Sequence, residues 1–459
     1  MAANILDKYK YMREGVNPLA KPEYASNQRQ ARNVWTLLFS LPIFAWAMYD
    51  FANTIFSSNI VTVFYPFYLK ETLGKSEELN QIASTFITYS NAISSFFLVL
   101  LSPLFGVWID RTGKKKAYLI PFTLIAIAAT LLMGASAIWD TEQQWLGLNT
   151  SVLGVIVFFM IAKFFYNSSL IFYDSMISDL GNTREIPIIS GVGVAVGYVG
   201  TLVGLVVYPL INGNQFENTF IPSALMFLLF SLPIMLFYKE KPIQAAGEKK
   251  SLLSGYKEIW LTFKEARNYK AAFLFMIAYF FFNDAIATAI AVMAIYANTV
   301  MGFTTGQFIL LYLVSTISSI IGSFLFGYVT RSLGPKRAVT IVAFILIIAI
   351  AIASLATSQS LFWVAGSLYG VSMGAMWVTS RTLIVQLTPE EKRGQFFGLF
   401  AFSGKVSSIV GPALYGSITW ALASYGNLAS RVALGSLLLL VIIGLIVHMR
   451  VPQKLHSSS

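Results

Sequence analysis

No cysteine occurs anywhere in the chain, and histidine occurs only at His448 and His456, both near the C-terminal end. The first absence excludes disulfides, thiol catalysis and thiolate metal sites together; the second leaves no histidine metal centre and no Ser-His-Asp triad. Charge is scarce as well. Asp, Glu, Lys and Arg make up 12% of the 459 residues, where a soluble domain carries roughly 25%. With no constellation for nucleophilic or metal chemistry, the expectation is a protein that is not an enzyme and uses no cofactor or metal.

Apolar residues fill the space that charge leaves, 56% of the chain. They gather in stretches of about 20 residues, the length that crosses a bilayer. Twelve spans are expected near 36–69, 81–109, 117–138, 151–178, 187–211, 219–238, 270–300, 306–330, 338–357, 360–387, 395–422 and 431–449. Several exceed the crossing length, so tilts or kinks are expected. The expected fold is an all-α membrane protein of twelve transmembrane helices in two pseudo-symmetric six-helix bundles. Its divisions are a cytoplasmic arm 1–33, a first bundle 34–238, a basic amphipathic linker 239–269, a second bundle 270–450 and a tail 451–459.

The duplication is visible in the residues. Gly106 to Ala117 (GVWIDRTGKKKA) recurs 221 positions later as Gly327 to Ala338 (GYVTRSLGPKRA). In each copy a helix reaches a glycine, turns at a second one (Gly113, Gly334) and leaves cations before the next span. Repetition of one loop at one place in both halves marks a two-bundle transporter.

Cations set the expected orientation. Most of the 32 Lys and Arg fall in the arm, the linker, the tail and alternate short loops, and only Lys70, Lys75 and Arg431 lie on the other side. The positive-inside rule then places both termini in the cytoplasm. Spread over seven short segments, these cations form no nucleic-acid groove. Residues 1–33 are polar and lack the apolar core of a secretory leader. Leu252 to Ala266 has helical apolar spacing and reads as a helix on the inner membrane face.

The piece GVWIDRTGKKK resembles the loop between the second and third helices of the major facilitator superfamily. In that setting Gly106 is expected to let two helices approach closely. Asp110 would sit at a helix N-terminus and Arg111 would pair with an acid on the fourth span, for which Asp179 is the obvious partner. Arg331 replaces the aspartate in the second copy. Three further segments, WAMYDFANTIFSS from Trp46, FYDSMISDL from Phe172 and FFGLFAFSGKVSSIVGP from Phe396, resemble the branch that includes the fungal vacuolar amino-acid effluxers of autophagy and bacterial permeases. Asp174 stands where an asparagine is more usual in such proteins. The resemblance implies the major facilitator fold, amino-acid export, and a central cavity lined by spans one, four, seven and ten.

Charges inside spans cost at least a few kcal/mol, which makes each a functional hypothesis. By depth, Asp50, Lys163, Asp284 and Lys405 sit roughly half-way across. Lys163, Tyr166, Asn167, Leu170 and Asp174 form one stripe of span four. The same spacing gathers Trp46, Tyr49, Asp50, Asn53 and Ser57 on span one, and Phe280, Asn283, Asp284, Ala287 and Thr288 on span seven. Lys163 and Lys405 suit a carboxylate, Asp50 or Asp284 an ammonium, and Trp46, Tyr49, Tyr166 and Trp377 offer walls and cation–π faces. An amino-acid-sized zwitterion uses both signs. These charges could equally be internal structural pairs.

An acid that gains and loses water as a transporter rocks changes its proton affinity, with Asp50 the first candidate and Asp284 the second. Asp174 and Arg381, at similar depth on spans four and ten, could close an inner gate or simply reach headgroups. Gly398 to Lys405 imitates a phosphate loop with the wrong spacing, and Gly191, Gly193 and Gly197 imitate a dinucleotide fingerprint with no preceding strand; Gly193/Gly197 and Gly200/Gly204 suit tight packing of span five instead.

The sequence therefore points to a secondary-active transporter of a small zwitterionic or anionic solute, amino-acid-like and exported, with protons as the candidate coupling ion. It is expected to be a monomer in a bacterial plasma membrane. The alternatives are a lipid or lysophospholipid transporter, an exporter of amphipathic drugs, and a non-transporting receptor.

Overall fold

The computed structural model describes residues 40–74, 76–139, 143–145, 148–181, 186–240, 254–388 and 393–452. The arm 1–33, Lys75, the first part of the linker with Leu252, and the tail beyond residue 452 lie outside the described residues.

The first span is one unbroken path in three parts: α1 (Leu41–Ile55), a π-helical stretch (Phe56–Phe64) and α2 (Tyr65–Leu73). Pro66 at the start of α2 brings no N–H to the preceding turn. Within the stretch, the Thr62 hydroxyl donates to the Ser57 carbonyl five residues back, at 2.9 Å. Such widened turns cluster at functional sites.

The other N-terminal spans are α3 (Glu77–Thr112), α4 (Lys116–Ile138), α5 (Thr150–Leu180), α6 (Ile186–Gly204) and α7 (Phe220–Phe237), with the hairpin β1 (Gln144–Trp145) and β2 (Leu148–Asn149) between α4 and α5. Helix α8 (Ser254–Ala266) lies in the linker. The C-terminal spans are α9 (Lys270–Thr299), α10 (Thr305–Leu333), α11 (Pro335–Leu355), α12 (Gln359–Leu387), α13 (Arg393–Ala421) and α14 (Asn427–Met449). Among the described residues nine helices are long and apolar enough to cross a membrane. The α1–α2 path, α6 and α13 occupy the three remaining expected span positions.

Local sequence explains the ends of these helices. Ser76 caps α3 by accepting from the Leu79 amide, with Glu77 and Glu78 in the first turn where the helix dipole favours them. Thr304 and Gln307 form a reciprocal capping box on α10. The two repeated loops turn where expected. Gly113 ends α3 at φ 63° in the left-handed region, and Gly334 follows α10 at φ 82°, both positions that favour a residue without Cβ.

Packing follows small residues. Helix α6 lays Gly193 on Trp46, Gly200 on the Phe51 backbone and Gly204 on Asn59 and Ile55, so the span-five glycines seat it against α1. Helix α12 likewise brings Gly370 and Gly374 onto the Ser315 and Ser319 carbonyls of α10. Gly106 departs from expectation: among the described residues nothing lies within 4 Å of a Cβ built there, nor at Gly327. Both glycines face open space here, so the close approach expected at Gly106 is absent.

Before the linker, α4 packs on α5 and α7, α3 on α5, and α1 on α6 and α7; after it, α9 packs on α13 and α14, α10 on α12, and α11 on α12 and α14. The two sets meet where α3 runs along α13 and where α9 touches α3, α2 and the π stretch. Helix α8 leans on α3 and α13, with the Tyr256 hydroxyl donating to the Leu100 carbonyl at 2.6 Å. Its Trp260 and Leu261 remain exposed, as an interfacial helix requires.

Candidate functional site

The face opposite the linker is closed by side chains from both bundles. Thr85 on α3 shares a 2.9 Å hydrogen bond with Thr419 on α13 and donates to the Gly416 carbonyl at 3.2 Å. Tyr89 and Ser417 share another at 2.9 Å, the Ser430 hydroxyl donates to Gln81 Oε1 at 2.7 Å, and Phe67 meets Phe308 edge-on. Toward the linker face, Asp174 on α5, Trp377 and Arg381 on α12, and Gly398 and Ala401 on α13 are all exposed. The bundles are therefore joined on the far face and leave these residues exposed on the linker face.

Charges of both signs influence one another between the bundles. Lys405 on α13, then Arg381 on α12, are the cations that act on the Asp174 carboxylate, and Asp174 in turn acts on Asp50 of α1. Arg381 also acts on Tyr279 of α9. Acids come from the N-terminal bundle and bases from the C-terminal one. Among the described residues no ion pair within 4 Å joins Asp174 to either cation. The expected inner gate of Asp174 and Arg381 is thus apart in this conformation, and Lys405 is the stronger electrostatic partner.

The span-one and span-four stripes are anchored differently from one another. Trp46 is 5% exposed, stacks on Tyr173 at 4.6 Å and donates Nε1–H to the Tyr173 carbonyl at 3.3 Å. Tyr49 is fully buried, its hydroxyl donating to Ser169 at 2.9 Å and lying 2.5 Å from Thr123. Both rings therefore support the wall from within instead of lining it. Asn53 is 2% exposed, and neither its amide nitrogen nor its oxygen has a hydrogen-bond partner. A buried unpaired amide costs about 1–3 kcal/mol, which a water or solute would relieve. Tyr166 packs its ring on Phe56 at 4.6 Å, and Asn167 is partly exposed.

Lys163 and Asp284 stand away from this cluster. Lys163 donates to Asn91 Oδ1 of α3. Sequence alone does not mark Asn91, because no periodicity links a neutral residue on span two to a lysine on span four. Asp284 is fully buried and accepts from the Gly411 amide of α13 at 2.7 Å. Beside it, Asn283 ties α9 to α13 by donating to the Gly404 carbonyl at 2.9 Å and to Ser407 at 2.8 Å.

At the linker face, Asp179 accepts from Lys115 Nζ at 2.8 Å and from the Tyr238 hydroxyl at 2.9 Å. Lys115 also donates to the Ser175 carbonyl. The side chains of Asp110, Arg111 and Arg331 lie outside the described residues. Lys115 and Tyr238 were not singled out from sequence, although Lys115 belongs to the basic run of the repeated loop.

Known proteins carry related sequences and folds. A family model described as vacuole effluxer Atg22 like matches residues 42–456. An uncharacterized MFS-type transporter, YxiO of Bacillus subtilis, is 24% identical over 422 residues, covering 89% of this chain and 94% of YxiO. Autophagy-related protein 22 of Vanderwaltozyma polyspora is 24% identical over 381 residues, 73% of each chain. In fold, the crystal structure of the nucleoside transporter NupG superposes with a TM-score of 0.67 at 12% identity, covering 91% of this chain and 100% of NupG.

Proposed function

The chain belongs to the vacuole effluxer Atg22-like family of membrane transporters of the major facilitator type, and from that premise we propose that it exports a small zwitterionic or anionic solute of amino-acid size by alternating access. One observation carries the reading. Asp50 and Asp174 from the N-terminal bundle and Lys405 and Arg381 from the C-terminal bundle act on one another between the bundles without closing into ion pairs.

A zwitterion satisfies both signs at once. Its ammonium would lie toward Asp174 and Asp50 and its carboxylate toward Lys405 and Arg381, so bound solute bridges the bundles and draws them together. Two acids and two bases balance, and a neutral zwitterion keeps that balance. A net anion would upset it unless one acid took up a proton, so proton coupling through Asp50 belongs to the anionic version of the reading. Asn53 would supply a further donor or acceptor. The family's description carries vacuolar efflux and the fungal relative's name autophagy, and the export part of the reading rests on that description.

Both termini are assigned to the cytoplasm, which makes the observed opening inward-facing. The cation distribution and the basic linker support this, as does a bacterial plasma membrane for a chain that shares most of its length with the Bacillus relative. Because the chain has no native cysteine, a single cysteine placed at Gly398 reports sidedness directly with a membrane-impermeant maleimide in intact cells.

The test of the solute is thermal stabilisation of the purified protein across amino acids, organic acids, short peptides and lysolipids, repeated with Asp174→Asn and Lys405→Met. A ligand at one hundred times its Kd stabilises by about 2.7 kcal/mol. Stabilisation by an amino acid that vanishes in both variants supports the zwitterion site. Stabilisation by lysolipids alone, untouched by either substitution, overturns it in favour of lipid transport.

A further inference from the structure

Two membrane-embedded carboxyls occupy the same frame. On α1, Asp50 and Thr54 face α6, where a Cβ built on Gly197 would lie 2.9 Å from Asp50 Oδ2 and 3.1 Å from Thr54 Oγ1. Six spans later, Asp284 and Thr288 of α9 face α13, where the side-chain position of Gly411 is taken by Asp284 Oδ1 and Thr288 Oγ1. Each threonine hydroxyl donates to its own aspartate's backbone carbonyl, at 2.9 and 2.8 Å. An Asp-x-x-x-Thr step on the first helix of each bundle thus docks a carboxyl into a glycine notch on the fifth.

The two notches differ in what reaches them. Asp50 is half-buried and lies within electrostatic reach of Asp174. Asp284 is 0% exposed; Oδ1 accepts the Gly411 N–H, and Oδ2 is sealed from solvent without a hydrogen-bond partner.

Among the described residues no charged side chain compensates it from the packed helices. On α13, Lys405 acts on Asp174, and the Tyr415 hydroxyl is itself unpartnered. On α14, His448 binds the Lys336 carbonyl and rests against Phe282, while Arg431 donates to the Ser354 carbonyl. On α12, Tyr369 donates to the Ile286 carbonyl and Arg381 acts on Asp174. On α3, Tyr89 bonds Ser417, and on α2, Tyr65 bonds Ser90. On α9 itself, Tyr279 donates to Asn283 and Tyr296 to the Ala353 carbonyl.

An ionised carboxylate sealed from water with no cation is far costlier than a neutral carboxyl, and one amide donor does not offset the difference. We propose that Asp284 is a proton-binding site, occupied in this conformation and twinned by symmetry with the water-accessible Asp50. When α13 moves off α9 and water enters the notch, the Asp284 O–H bond breaks heterolytically, leaving the carboxylate and passing the proton to water. The coupling role rests on the transporter reading above; the bound proton does not.

Infrared spectroscopy of the purified protein at neutral pH, in H2O and D2O, tests the occupancy without knowledge of the solute. The expected result is a protonated-carboxyl C=O band that shifts in D2O, is missing from Asp284→Asn and persists in Asp50→Asn. Should Asp284→Asn fail to fold, Asp284→Glu keeps a carboxyl and must move the same band. A spectrum identical in wild type and both Asp284 variants overturns the proposal. Absence of the band from the wild type with amino-acid stabilisation intact would sink the proton site alone, and the band present without any amino-acid stabilisation would sink the solute reading alone.

Discussion

Thr85 and Thr419 lie on helices 334 positions apart in sequence and share a 2.9 Å hydrogen bond at the face opposite the linker. With Tyr89–Ser417 and Gln81–Ser430 it seals one end of the molecule, while Asp174 and Arg381 stay exposed toward the other. The observed conformation is therefore held by polar contacts across the bundle boundary, with the proposed solute site on its open side.

Weakening that seal should redistribute the two conformations. Interhelical hydrogen bonds in membranes are worth about 0.6 kcal/mol on average, so Thr85→Val with Ser430→Ala should remove roughly 1–2 kcal/mol from the closed far face. A tenfold population shift corresponds to about 1.4 kcal/mol. Labelling of a single cysteine at Gly398 should slow in the double variant, and labelling at Thr88 should rise. Unchanged rates at both positions would show that the seal does not set the equilibrium.

Charge reversal separates a paired mechanism from independent charges. Asp174→Lys and Lys405→Asp should each abolish solute uptake into proteoliposomes, since either leaves like charges facing across the cavity. The double variant should recover a measurable fraction. Recovery by Asp174→Lys with Arg381→Asp instead would make Arg381 the functional partner.

Asp179 serves two donors at once, Lys115 and Tyr238. Asp179→Ala should cost about 1–3 kcal/mol, because removing it strands a largely buried cation as well as a hydroxyl. Tyr238→Phe should cost about 1 kcal/mol, leaving the ion pair intact. Thermal midpoints in detergent give the order, and an equal loss in the two variants would contradict the shared-acceptor geometry.

Two glycines should respond in opposite ways. Gly200→Val drives a side chain into the Phe51 backbone, where nothing can yield, and should abolish monodisperse protein in size-exclusion chromatography. Gly106→Ala enters open space and should leave yield and thermal midpoint unchanged. A loss at Gly106 would show that the close approach expected there forms in the opposite conformation.

The helices themselves were legible because the bilayer imposes a length and a hydrophobicity that one sequence displays openly. The expected span at 270–300 is the helix Lys270–Thr299, and the expected span at 360–387 is Gln359–Leu387. Gly113 and Gly334 turned as their spacing predicted. Periodicity also placed Asp174 on a polar stripe, but a stripe records only direction on its own helix. It could not show that Tyr49 points inward to Thr123 and Ser169, or that Lys163 finds Asn91 on another span.

By itself the sequence determined that this chain crosses a membrane repeatedly, that its halves are duplicates, and that charge survives at a few buried positions, because these follow from transfer free energies and helical period along one dimension. Only the tertiary structure decided which of those charges meet. Asp174 lies within reach of Lys405 and Arg381, while Asp284 is docked against Gly411. Electrostatic attraction depends on separation in space and on the water admitted between helices, neither of which is written in the order of the residues.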